Sequence, residues 1–331
     1  MTVVTETLAE ISFDDRPRFL GATDATRSSF AAQVGESLLA LGPDLDVLGR
    51  WPVSLPAGHR GHHAVSLDRG LVLISGPSDV RLADETGRVR WSYPHPPWKG
   101  MFESGSTWFD ETGQPYAVIP DPSYGHSLVV RFDLGSGQPL AVAPIGAKPA
   151  GIEVIHHPDG WVGLSEGEGQ DAVQAWWVRS ASQPSGDMGI EVLSGGWKSW
   201  IFVDVNQAGS NIITTPHLGD GPILVRSFPS LDIIRGIEPR PGESWIETAF
   251  FAGDLIVAAL GAQEGRFVAI SQQGRIMDLD QPDALCLAPA DHDTWMAVTP
   301  STIRRCRMTG SEEEIVAQSR DPQIPGQMAL W

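Results

Sequence analysis

The three lysines of the chain lie in similar short contexts and are the first candidates for chemistry. The contexts are PPWKGMFE around Lys99, IGAKPAGIE around Lys148 and GGWKSWIF around Lys198. An ammonium group is a compact hydrogen-bond donor to a carboxylate or a phosphate. Lysines crowded into a partly desolvated site would also have a lowered pKa, which suits proton transfer near neutral pH.

A second set of residues follows four or five positions after the lysines and at matching places of neighbouring segments. It comprises Glu103, Glu153, Phe202, Glu247 and His63. Glutamates in a narrow channel have a raised pKa unless a lysine pairs with them, so these carboxyls and His63 are candidate general acids and bases. Other residues would contact a substrate, and they are Trp98, Phe102, Trp197, Trp200, Phe202, Trp245, His126 and His217.

Each of these assignments has a structural alternative. The lysine positions can follow from inheritance of a repeat, the glutamates can pair with the lysines to join neighbouring segments, and most tryptophans can be packing residues. Metal binding is the weakest candidate, because the spacing of its ligands gives no support. Its ligands would be His62, His63, Glu153 and Glu247. No cofactor is predicted, and a cation or ordered water in a channel would satisfy the same groups.

The elements that must position these residues are short strands. Apolar runs with alternating polarity, such as GLVLISG and DLIVAAL, are separated by turn residues every 8 to 12 positions or so, which is typical of an all-β protein. A polar turn recurs between a strand and a strongly apolar strand, at Gly35, Gly70, Gly113, Gly160, Gly209, Gly253 and Asp293. A second glycine turn recurs within ADETGRVRW, DLGSGQPLAV and ISQQGRIMDL, as expected for the hairpin between third and fourth strands.

The first turn recurs seven times in a chain that divides into seven units of about 47 residues, and the second turn recurs in three of those units. Together they predict a seven-bladed β-propeller of four-stranded antiparallel blades rather than one with six or eight. The predicted blades are 18–56, 57–98, 99–147, 148–196, 197–241, 242–281 and 282–320. Residues 1–331 are predicted to form one propeller domain with terminal segments 1–17 and 321–331. Either TLAEISF near the N-terminus or QMALW at the C-terminus would close the ring.

The segment DETGRVRWSYP (84–94) resembles the units of bacterial propellers related to the quinoprotein, YVTN-repeat and WD-repeat-like groups. In those units a glycine turn leads into a strand that carries tryptophan. The Gly-His and Trp-Asp dipeptides of WD repeats are absent from regular positions. The resemblance implies the fold and no particular activity.

Composition narrows the class of partner. The net charge of −18 disfavours a nucleic acid, whose binding depends on Lys and Arg contacts to phosphate. No apolar stretch is long enough for a membrane span, and the N-terminus does not have the pattern of a signal peptide, so a cytoplasmic location is expected. Cys286 and Cys306 are expected on non-adjacent strands of one blade as free, buried thiols. His156 and His157, beside an HPDG turn on the face opposite the lysines, are expected to be solvated.

The favoured hypothesis is a propeller that binds a small anionic or carbonyl-bearing molecule in a funnel lined by lysine and tryptophan. In its enzymatic form it is a lyase, cyclase or isomerase that transfers a proton. The alternative is a non-catalytic scaffold whose acidic surface binds a basic protein.

Overall fold

The computed structural model describes residues 2–24, 26–53, 63–98, 105–123, 126–145, 151–167, 173–182, 188–194, 200–216, 221–261, 266–281, 283–291 and 293–309. Their strands form seven sheets. Six of these sheets have four antiparallel strands, and the seventh has four antiparallel strands with a fifth, parallel strand at its outer edge. The seven-bladed propeller predicted from the turn repeat is therefore confirmed.

Blades 1 to 5 each use four consecutive strands, counted from the innermost outwards. Blade 1 contains β3 (Arg18–Ala22), β4 (Phe30–Val34), β5 (Ser37–Leu41) and β6 (Val47–Trp51). Blade 2 contains β7 (Ala64–Ser66), β8 (Leu71–Ser75), β9 (Asp79–Asp84) and β10 (Val89–Pro94). Blade 3 contains β11 (Thr107–Phe109), β12 (Pro115–Pro120), β13 (Ser127–Phe132) and β14 (Pro139–Ile145). Blade 4 contains β15 (Gly151–His156), β16 (Val162–Gly167), β17 (Val173–Ser182) and β18 (Met188–Ser194). Blade 5 contains β19 (Trp200–Val205), β20 (Asn211–Pro216), β21 (Ile223–Ser227) and β22 (Ile233–Ile237).

The N-terminal segment closes the ring, which the sequence had left undecided. Blade 6 contains β23 (Trp245–Ala252), β24 (Leu255–Leu260), β25 (Phe267–Ile270) and β26 (Ile276–Leu279), with β1 (Thr2–Val3) added in parallel to β26. Blade 7 contains β27 (Cys286–Pro289), β28 (Thr294–Val298), β29 (Thr302–Met308) and β2 (Thr5–Ser12), which pairs antiparallel with β29 as the outermost strand.

The core lies between neighbouring blades. Second strands such as β12 and β24 are buried along their whole length, because a sheet covers each of their faces. One cluster joins Leu73 and Leu82 of blade 2 to Ile119 and Phe132 of blade 3. Tryptophans on outer strands also join blades, as the indole nitrogen of Trp91 donates to the carbonyl of Leu134 at 2.9 Å.

The glycine turns define the two faces of the ring. Gly70, Gly113, Gly160 and Gly209 have φ between 61° and 76° and lie where an innermost strand leads into the second strand, on what we call the lower face. The innermost strands begin at the opposite, upper face. The assignment of Gly35 to this series is wrong, since it lies between β4 and β5, the second and third strands of blade 1. The loop 23–29 occupies the lower position in that blade, and it lacks the polar-turn-plus-glycine pattern.

Among the described residues, no helix combines the length and the apolar character required to cross a bilayer.

Candidate functional site

A cavity of about 320 Å³ lies on the axis of the ring, and all seven blades contribute to its wall. The wall residues on the innermost strands are Gly21 and Ala22 of β3, Ala64 of β7, Thr107 of β11, 154–156 of β15, 202–204 of β19, 248–250 of β23 and 286–289 of β27. Most of them are apolar, with few polar groups, which is the usual composition of a small-molecule site.

Innermost strands have a free edge, and side chains of neighbouring blades satisfy several of its amide groups. The amide of Ala64 donates to Oγ1 of Thr107 at 3.2 Å, and the amide of Phe202 donates to Oγ of Ser165 at 2.8 Å. These bonds join blade 2 to blade 3 and blade 4 to blade 5. They hold the cavity wall together without placing a charge in it.

Arg27 closes the lower end of the cavity by reaching across the axis from blade 1. Its guanidinium pairs with the carboxylate of Asp204 on β19 and donates to the carbonyls of Val205 at 2.9 Å and Ala290 at 3.3 Å. We call this set of contacts the Arg27 bridge. It connects blades 1, 5 and 7 around the lower opening.

The loop that carries Arg27 is organised by Asp24. Oδ1 of Asp24 accepts from the amide of Thr26 at 2.8 Å and from its hydroxyl at 2.6 Å, and Oδ2 accepts from the hydroxyl of Ser28 at 3.0 Å. Arg27 itself has φ of 56°, a conformation that few residues other than glycine adopt. The loop therefore holds a strained residue whose side chain is directed at the axis.

Burial dominates the electrostatics of the bridge. The Asp204 side chain is only 5% exposed, and its Oδ2 accepts from the amide of Phe251 at 2.8 Å. Desolvation raises the pKa of Asp204, while Arg27 and the Phe251 amide oppose that rise. The carboxylate can remain ionised because both opposing partners approach it directly.

The upper part of the cavity is lined by His63, Thr107 and Cys286, each near the beginning of an innermost strand. His63 is buried, as is Cys306 elsewhere in blade 7. Cys286 is exposed in the cavity rather than buried, so the expectation of two buried thiols is wrong for this residue. It is the first residue of β27 and pairs with Val298 of β28, and desolvation by the surrounding protein raises the pKa of its thiol. The two cysteines lie on β27 and β29, which are not adjacent, as expected.

Several sequence-predicted site residues lie outside the described residues. They are Lys99, Lys148, Lys198, Glu103, Phe102, Trp197, His62 and His217. Glu153 lies on β15 and Glu247 on β23, both innermost strands, and their side chains are not described. Their catalytic and binding roles stay predictions.

The described aromatic candidates differ in position. Phe202 lines the cavity and also packs against Trp177, with ring centroids 4.8 Å apart. Trp245 is fully buried, and its indole nitrogen donates to the carbonyl of Ile237 at 3.0 Å. Trp98 follows β10 and meets His95 edge-on, whereas Trp200 is the first residue of β19 and lies 5.8 Å from the Arg226 guanidinium.

His126 lies in the upper loop between β12 and β13, and its Nε2 is 2.6 Å from Oδ2 of Asp121. Ser123 is the main cause of the lowered pKa of Asp121, and His126 contributes to it. Within the described part of the chain, no three His, Cys, Asp or Glu side chains are grouped to hold a metal ion.

Sequence reasoning missed the lower end of the cavity. Asp204 interrupts the apolar strand WIFVDV, which is a signal for a buried and paired charge, whereas nothing in ATDATRSS marks Arg27. The expectation that His156 and His157 are solvated is wrong. His157 is buried, with its Nε2 2.7 Å from the carbonyl of Gly209, and His156 lines the axial cavity.

Comparison with solved structures shows the fold alone. The chain resembles BBS1N, solved in complex with ARL6DN, with a TM-score of 0.55 and 9% identity over 94% of this chain and 99% of that one. It also resembles the Cps50 (Swd1) β-propeller domain of Myceliophteria thermophila, with a TM-score of 0.56 and 10% identity over 92% of this chain and 100% of that one. A prolyl endopeptidase has a TM-score of 0.57 and 19% identity, with 88% of this chain and 47% of that one covered. No family model and no curated protein matches the sequence.

Proposed function

We propose that this propeller binds a small molecule in its axial cavity, with the ligand entering from the upper face. The observation that carries the proposal is the cavity itself, about 320 Å³ in volume and bounded below by the Arg27 bridge. A cavity of this volume is within the range of small-molecule sites. Because the bridge occupies the lower opening, the proposal places ligand entry at the upper face.

For the end of the ligand that lies away from the Arg27 bridge, the proposal keeps the lysine contacts predicted from the sequence. A carbonyl or anionic group of the ligand would meet Lys99, Lys148 and Lys198, whose ammonium groups are suited to carboxylate or enolate oxygen. In the enzymatic form of the proposal, His63 would act as a general acid or base from the cavity wall. The three glutamates predicted from the sequence would share that role, and the reaction would be an elimination, a cyclisation or an isomerisation.

The test is to fill the cavity and measure ligand binding. A library of small carboxylates, ketones and amines is screened by thermal shift and by NMR against the wild-type protein. Ala288 lies on β27 in the cavity wall, and Ala288→Trp would occupy the space. The matched control is Ala141→Trp on the outermost strand β14.

We expect Ala288→Trp to weaken binding of the hits by more than about tenfold and Ala141→Trp to leave it unchanged. Unchanged binding to Ala288→Trp would show that the ligands bind elsewhere and would overturn the proposal. Replacing all three lysines by Met tests separately whether they contact the carbonyl or anionic group of the ligand. Loss of binding only for carbonyl-bearing or anionic hits would support their assignment, and unaltered binding of those hits would refute it.

The scaffold alternative is supported by the net charge of −18 and by one similar propeller that was solved in a complex, BBS1N with ARL6DN. It predicts that a basic protein or peptide binds at an outer face. Ala288→Trp would leave such binding intact, because the substituted side chain lies in the cavity. The same variant therefore separates the two functions.

A further inference from the structure

His156 is a polar group in the wall of the cavity. It is the last residue of β15 and lines both the axial cavity and the depression on the lower face. Within the described part of the chain its imidazole makes no hydrogen bond or ion pair. His157 differs, since its Nε2 is 2.7 Å from the Gly209 carbonyl and its Nδ1 accepts from the Asp159 amide at 3.0 Å.

The charged groups around His156 differ in whether they are paired. Arg27 pairs directly with Asp204, so these two charges compensate each other. Asp24 lies on the same floor, and its hydrogen bonds come from the neutral groups of Thr26 and Ser28. One carboxylate charge on the cavity floor is therefore left without a direct cationic partner in the described residues.

The environment of His156 favours the neutral form of its imidazole. Burial lowers its pKa, and the negative charge of Asp24 opposes that shift without reversing it. A neutral imidazole presents one nitrogen that accepts a hydrogen bond and one that donates. Arg27, by contrast, is already paired: its two terminal nitrogens donate to Asp204 and to the carbonyls of Val205 and Ala290.

We propose that the floor of the axial cavity recognises a protonated amine of the ligand, with His156 accepting a hydrogen bond and Asp24 supplying the opposite charge. This inference rests on the proposed function, since it concerns the same cavity. An ammonium group satisfies both residues at once, because it donates hydrogen bonds and carries positive charge. A carboxylate placed there would face the negative charge of Asp24, while the positive charge of Arg27 is already paired with Asp204.

The experiment compares two probes of similar shape and opposite charge, 2-phenylethylammonium and 3-phenylpropionate. Binding of each is measured by NMR titration of histidine-labelled protein at pH 7.5, in the wild type, in Asp24→Asn and in Asp84→Asn. The Asn side chain keeps the oxygen that accepts from the Thr26 amide, so the loop can retain its turn. Asp84 forms the same Asp-x-Thr turn with Thr86 on an outer hairpin and serves as the control.

We expect Asp24→Asn to weaken binding of the ammonium probe about tenfold relative to the propionate probe, and Asp84→Asn to leave the ratio unchanged. His156→Gln, assigned through the ring signal that it removes, should lower affinity for the ammonium probe more than for the propionate probe. In the wild type that ring signal should shift on titration with the ammonium probe. If both probes bind but their affinity ratio is the same in the wild type and in Asp24→Asn, the recognition of an amine is refuted while the binding cavity stands. If neither probe binds, this inference fails; the proposed function fails only if Ala288→Trp also leaves every library hit unaffected.

Discussion

Arg27 and Asp204 are two charges removed from water at the centre of the ring, and they depend on each other. The ion pair has side-chain exposures of 18% and 5%, and Asp204 is also held by the Phe251 amide. A buried pair of this kind contributes little net stability compared with apolar residues, but removing one partner leaves an uncompensated charge. The positive φ of Arg27 adds strain that the bridge must offset.

Arg27→Met is expected to lower the free energy of unfolding by about 3–5 kcal/mol at pH 7.5, measured by urea denaturation. The loss should be smaller at pH 5. Without Arg27 the pKa of Asp204, already raised by burial, would rise further, so the carboxyl binds a proton in the folded state at a pH where the unfolded chain does not. The double variant Arg27→Met/Asp204→Leu should recover most of the loss. A loss that is equal at both pH values would contradict this account.

His157 supplies a second prediction at the residue scale. Burial lowers the pKa of His157 below its ordinary value of 6.5, so the folded protein binds fewer protons there than the unfolded chain. Its contribution to stability is therefore present above about pH 6.5 and is lost as the pH falls towards the folded pKa. His157→Gln can still donate to the Gly209 carbonyl and should show a shallower loss of stability between pH 7 and pH 5. Urea midpoints at three pH values in that range measure it, and identical slopes would rule out a contribution from His157.

At the scale of the strand, the closure of the ring can be locked covalently. Thr7 on β2 and Cys306 on β29 are direct cross-strand partners. Facing residues of an antiparallel pair have Cα atoms about 4.5–5.5 Å apart, within the range for a disulfide. Thr7→Cys is therefore expected to form a disulfide with Cys306 on oxidation and to raise stability by about 2–4 kcal/mol, since it closes a very long loop.

The measurement compares the urea midpoint of Thr7→Cys before and after oxidation, with mass spectrometry to identify the linked peptides. Thr7→Ser is the control and should not respond to oxidant. Cys286 lies on β27, two strands from β29, and should remain unlinked. A bond between residue 7 and Cys286, or no gain in stability on oxidation, would argue against the strand order described for blade 7.

The strands and their order follow from local turn patterns that are visible in the sequence. Gly70, Gly113, Gly160 and Gly209 occupy turns with positive φ, so the repeat could be recognised without coordinates. Gly35 belongs to a different turn because blade 1 replaces the short glycine turn with the loop 23–29. Ring closure could not be predicted, because pairing of β2 with β29 depends on residues about 300 positions apart. The same holds for the cavity floor, where Arg27 meets Asp204 across four blades.

At the scale of the whole molecule, the protein carries an excess of negative charge around the apolar core between its blades. The net charge is −18, and the acidic groups include Asp14, Asp15 and Glu36, which share one depression on the upper rim with Arg50. Such an excess destabilises a compact state through self-repulsion. Surface ion pairs act in the opposite direction, as between Arg304 and Glu10 at 2.6 Å, but each contributes only about 0–1 kcal/mol.

The dependence of stability on salt concentration shows whether the repulsion or the surface ion pairing is larger. Raising NaCl from about 20 to 200 mM shortens the screening length below about 10 Å, which weakens long-range repulsion more than it weakens contacts within a pair. We expect the free energy of unfolding to rise over this range, as measured by urea denaturation at pH 7.5. The variant Asp14→Asn/Glu36→Gln removes two charges from the crowded rim, so it should be more stable than the wild type at low salt and should respond less to added NaCl. A steady fall in stability with salt would mean that ion pairs such as those at the ring closure outweigh the repulsion of the whole surface.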